Sequence, residues 1–166
     1  MPLQRMGRTW QFKASADSDN ELEISWDAES VGDDAKRESD KVDLRNSRGQ
    51  WADMFVFEVV QDSAGTPAAG VTQTYYWAPS RVTTTGAGDA NPAKTTGLDA
   101  VWNRGEELLD DLWLIGVFKH SNDGTQKSGV LPWTPLPLPV GSLVMHNESG
   151  ATTTTGESVY LTEIIG

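Results

Sequence analysis

Met54-Phe55-Val56-Phe57-Glu58-Val59-Val60 is the stretch on which the fold turns. Aromatic and β-branched side chains in succession suit a pleated, buried surface, so it reads as a central strand. Gln61 to Pro67 is then a cluster of turn residues, and Val71-Thr72-Gln73-Thr74-Tyr75-Tyr76-Trp77 is a second clear strand. The two are expected to form a hairpin with a moderately long loop. Toward the N-terminus, Thr9 to Lys13 and Glu21 to Trp26 alternate polar and apolar residues with the period of half-buried strands. Toward the C-terminus, Leu112 to Phe118 is apolar on both faces, as a buried sandwich strand would be, and Ser121-Asn122-Asp123-Gly124 is a strong turn signal.

Leu131-Pro132-Trp133-Thr134-Pro135-Leu136-Pro137-Leu138-Pro139 lacks ladder donors at each proline and is expected to run extended along an edge. Ser142 to His146 and Ser158 to Ile164 read as a terminal hairpin around Asn147-Glu148-Ser149-Gly150 and the run Thr152 to Thr155. Leu98, Val101, Trp102, Leu109 and Leu112 share a helical spacing that Gly105 interrupts, which allows a short helix or turn near 98–104. The whole reads as about eight to ten short strands without a dependable helix. The expected fold is all-β, an antiparallel β-sandwich with long loops.

The chain has 166 residues, enough for one domain with its own core. It carries 13 basic and 24 acidic residues, a net charge of −11, which argues against a free nucleic-acid binder. There is no Cys, which excludes disulfides, Cys-ligated metal and thiol chemistry. No apolar run approaches a membrane span or a signal core, so neither a membrane partner nor secretion through a classical signal is expected. Charge is uneven. Residues 1–16 hold Arg5, Arg8 and Lys13 and no acid, while residues 17–43 hold eleven acids against Lys36, Arg37 and Lys41. That division suggests an extended basic N-terminal arm over 1–16, able to lie on a neighbour, and a single sandwich domain over 17–166. Residues 79–97 form a long Thr-, Gly- and Ala-rich loop of the kind that is functional or rests on a partner.

Catalytic chemistry is hard to find. His120 and His146 have no second His at ligand spacing, so both read as structural or solvent-facing, and no metal or cofactor is expected. Asp33-Asp34, Glu106-Glu107 and Asp110-Asp111 are adjacent acids that would point to opposite faces of a strand. Asp17-x-Asp19-x-Glu21 begins like a calcium loop, but Leu22 and Ala28 occupy the positions of its glycine and bidentate acid. Nucleophile elbows, phosphate loops and dinucleotide fingerprints are lacking. Asn147-Glu148-Ser149 matches a glycosylation sequon. Trp10, Trp26, Trp51, Trp77, Trp102, Trp113 and Trp133 are spread evenly and divide between core and interface, with Trp133 among prolines the best surface anchor.

Five further stretches belong together: Gln50-Trp51-Ala52-Asp53-Met54-Phe55-Val56-Phe57, Tyr75-Tyr76-Trp77-Ala78-Pro79-Ser80, Trp113-Leu114-Ile115-Gly116-Val117-Phe118, Pro135-Leu136-Pro137-Leu138-Pro139-Val140-Gly141 and Leu143-Val144-Met145-His146-Asn147-Glu148-Ser149-Gly150-Ala151. In these motifs residues 44–164 resemble a family of small virion proteins of tailed bacteriophages. The resemblance implies a jelly-roll-like sandwich and a capsid decoration or cement protein, without enzymatic activity, on the outer capsid surface. The implied partners are the major capsid protein and two further copies of the chain, as a homotrimer. On that reading Arg5, Arg8, Trp10, Lys13, Arg81 and Trp133 are the expected partner-binding residues. The alternative is a carbohydrate-binding sandwich on a phage tail or fibre that uses exposed aromatic residues.

Overall fold

The computed structural model describes residues 5–61, 70–83, 97–102, 106–120, 127–153 and 157–165. Most of loop 79–97, the 121–124 turn, most of 61–67 and residues 1–4 lie outside the described residues. The strands are β1 (Arg5–Lys13), β2 (Glu23–Ser25), β3 (Ala35–Glu38), β4 (Val42–Asp43), β5 (Met54–Gln61) and β6 (Thr72–Pro79). They continue with β7 (Ala100–Val101), β8 (Trp113–Lys119), β9 (Lys127–Val130), β10 (Val140–Glu148) and β11 (Ser158–Ile165). A short 3-10 helix, Glu106–Asp111, precedes β8.

One sheet has the order β2-β1-β11-β5-β9 and the other β7-β3-β10-β6-β8, with β4 also on β10. All pairs are antiparallel except β1 with β2. Omitting the short strands β2, β4 and β7 leaves two four-stranded sheets between which the chain keeps crossing. This is the strand order of a jelly roll. Both expected hairpins are therefore corrected. β5 and β6 lie in different sheets, as do β10 and β11, because each strand closes the core from the side opposite its neighbour in sequence.

Alternation along each strand sets which side chains face inward. Trp10 and Phe12 of β1, Phe55, Phe57 and Val59 of β5, and Val159 and Leu161 of β11 are fully buried from one sheet. Tyr75 and Trp77 of β6 and Leu143 and Met145 of β10 meet them from the other. A register shift opposite Tyr75 and Tyr76 makes Ile115 an extra residue in β8. Ile115 and Phe118, three apart, then both point inward. Outside the second sheet, Trp102, Leu109 and Leu112 pack on Ala78 and Val144, so the β6–β8 connection covers that face.

The acidic run is put to structural use. Asp17, Asp27 and Asp43 each accept the backbone N–H two residues on, and Asp40 accepts that of Asp99. The Asp33–Asp34 doublet lies in the turn before β3 rather than on a strand: Asp33 accepts from the Gly150 backbone while Asp34 meets His146 Nε2 at 2.9 Å. The hydrogen bond from His146 and the nearby Lys36 charge hold the Asp34 carboxyl below its ordinary pKa. Asp99 receives Arg37, Ser25 Oγ and the Asp27 N–H, tying β2 and β3 to the segment before β7.

Tyr75 lies wholly inside, its hydroxyl 3.1 Å from Glu157 Oε1. Burial, followed by the Glu157 charge, pushes its pKa well above the ordinary value. The native state thus keeps a proton that the unfolded chain releases near pH 10, so this residue's share of stability is lost as pH rises past about 10. Denaturant titrations between about pH 9 and 11 should show a steeper loss of stability for the wild-type protein than for Tyr75→Phe. Equal slopes would contradict it.

Candidate interaction surface

The six sequence candidates fall into three groups. Trp10 is only 1% exposed and belongs to the core, which corrects its assignment to a partner. The reason is its place in β1, opposite Leu161, where inward positions alternate with outward ones. The expected arm is extended, but residues 5–13 are a strand within the sheet, paired to β11 and β2. Lys13 forms an ion pair of 2.6 Å with Glu23, and Arg8 is also held within the fold, so the arm's charges mainly serve its own chain. Arg5, Arg81 and Trp133 are exposed.

Arg8 organises one end of the sandwich. A bulge between Met6 and Thr9 breaks the β1–β11 register there. The Arg8 backbone N–H donates to Glu163 Oε2 at 3.0 Å, and the guanidinium donates to Glu163 Oε1 at 2.8 Å. The same guanidinium reaches the Leu44 carbonyl at 2.7 Å and the Arg45 carbonyl at 3.2 Å. It also lies 4.6 Å from the Trp10 ring centroid, a cation–π distance that shields the indole. A Cβ on Gly7 would sit 2.6 Å from Glu163 Oε2, so the bulge requires glycine for Glu163 to pack over the strand. Beside this pair a groove of about 650 Å³ opens, lined by Arg8, Asn46, Gln50, Trp51, Asp53 and Ile165 among others.

The second surface is apolar. β8 ends its sheet and β9 ends the other, and the two edges approach where Phe118 packs against Gly129, while Trp113 Nε1 is 3.4 Å from Thr134 Oγ1 in the segment after β9. The Pro-rich segment extends the β9 edge as expected, with Thr134 bridged to Phe55. Trp113 is 42% exposed, Leu114 54%, Val117 48%, Val130 65% and Trp133 52%. β8 is thus an edge strand with an apolar outer face, not the wholly buried strand expected, because the Ile115 bulge turns only Ile115 and Phe118 inward. Exposed apolar residues along two neighbouring sheet edges are characteristic of surfaces that another chain covers. Asp110 and Asp111, both exposed, stand just before it.

Sequence reasoning chose Trp133 here but missed Trp113, Leu114 and Val117. The signal was present: a strand apolar on both faces either lies between two layers or lies at an edge that meets a partner.

Catalytic and metal-binding groupings do not emerge from the described residues. No set of three or more His, Asp or Glu is placed to hold a metal ion among them. His146 is buried against Asp34, and His120 is buried with its ring edge-on to Phe118. Asn147 is fully buried, its amide donating to Val31, Gly32 and Ala151 carbonyls, so the sequon is not a glycan acceptor in the folded chain. In comparisons with known proteins, no family model matches the chain and no curated protein matches it.

Proposed function

We propose that this protein is a non-enzymatic structural component of a phage virion, a cement protein that binds the major capsid protein on the outer shell as a homotrimer. The observation that carries the reading is the apolar edge formed by Trp113, Leu114, Val117, Val130 and Trp133. Such a surface supplies binding energy and no chemistry, which is what cementing neighbouring subunits requires. Exposed Trp accompanied by aliphatic side chains is the composition enriched in the contact regions of protein interfaces. The jelly-roll strand order and the sequence resemblance over residues 44–164 support the same reading. Trimerisation would present three copies of each weak contact to the shell and multiply their strength. The net charge of −11 keeps a decorated particle soluble and disfavours adsorption of nucleic acid.

The test is cosedimentation of the purified protein with capsid shells stripped of it. Saturable binding in threefold units is expected. Protein that stays in the supernatant at every concentration would overturn the reading.

A further inference from the structure

We propose that the groove beside Trp51 is a binding site for a neutral pyranoside, at the end of the sandwich organised by Arg8. This does not rest on the cement reading, which concerns the β8–β9 edge.

The floor is preformed. The Gly7 bulge, the Arg8–Glu163 pair and the bonds from Arg8 to the Leu44 and Arg45 carbonyls fix β1, β11 and the start of the 44–53 connection together. The connection itself is ordered by Asn46, whose Oδ1 accepts the Arg48 and Gln50 backbone N–H groups. It then presents Trp51, 45% exposed, to the groove.

Charge narrows the ligand. Among the described lining residues the cation is Arg8, already engaged by Glu163 and two carbonyls, and the other charged group is Asp53. An anion such as a phosphate or an acidic sugar would find an engaged guanidinium and a carboxylate, so it is disfavoured. A wholly apolar ligand would strand the Asn46, Gln50 and Asp53 polar groups without water. A neutral sugar ring suits both halves. Its C–H face lies against an indole, and its hydroxyls donate to Asp53 and accept from the Gln50 amide nitrogen. The volume of about 650 Å³ accommodates one or two rings.

The experiment is a titration of the intact, isotopically labelled protein with the neutral methyl glycosides of glucose, galactose, mannose and N-acetylglucosamine and their short oligomers. The indole N–H signal of Trp51 is followed by NMR. Saturable shifts with at least one of these probes are expected. Trp51→Ala and Asp53→Ala should each weaken binding about tenfold or more, while Trp133→Ala leaves it unchanged. No shift with any probe up to about 20 mM would overturn the proposal, as would binding that survives both groove variants. A response to acidic sugars alone would overturn it too. None of these outcomes bears on cosedimentation with shells, so the two readings fail separately.

Discussion

Trp113→Ser combined with Trp133→Ser is expected to leave thermal stability nearly unchanged and to abolish shell binding. Both indoles are about half exposed, so neither substitution opens a cavity in the core. At an interface, each buried Trp anchor contributes about 2 kcal/mol or more, so the pair should weaken one site about a thousandfold. In a trimer the loss repeats at every site, and avidity collapses with it. The measurement is cosedimentation beside a melting curve. A folded double variant that still binds with wild-type affinity would remove the β8–β9 edge from the account.

Asn147→Ala is expected to destabilise the fold by about 3 kcal/mol, measured by denaturant unfolding. Asn147 is completely buried at the end of β10, and its amide donates to three backbone carbonyls at 2.8–3.1 Å. Its Oδ1 also accepts the Ser149 N–H at 3.2 Å. Thr153 reinforces the same junction through hydrogen bonds with Ala28 and Val31. Removing the amide strands buried carbonyls that water cannot easily reach, and the penalty is that of several unmade hydrogen bonds. A loss below about 1 kcal/mol would mean that the surrounding turn re-forms its bonds without Asn147. Such a result would contradict the role given to this residue in joining residues 28–33 to the turn after β10.

The parts of the fold legible in the sequence were those where inward positions are apolar. β1 alternates visibly and β5 and β6 are rich in aromatic and β-branched residues, and their inward residues Trp10, Phe12, Phe57 and Tyr75 form the core. β3 was not read as a strand because its buried positions are Lys36 and Glu38, which share the outer face of the sheet with Val144 and carry no hydrophobic period. β9, Lys127-Ser128-Gly129-Val130, has the composition of a turn, and Phe118 packing close to Gly129 explains its glycine. Strand pairing was less legible than strand position. Neighbours in sequence invite a hairpin, and only the demand that both sheets close one core sends β5 and β6 apart. For the surfaces, charge was the misleading signal. Arg5, Arg8 and Lys13 drew Trp10 into a supposed arm although its own alternation already placed it inside. The β8 bulge, invisible in sequence, decided which of six consecutive apolar or glycine positions would face outward.

The central claim is that the protein is a stoichiometric part of a capsid surface, and quantitative mass spectrometry of purified source virions tests it most directly. The cement reading expects as many copies of this chain as of the major capsid protein, released together as trimers when the shell is gently destabilised. A handful of copies per particle would place it at the neck or tail, and absence from the particle would contradict the virion reading altogether.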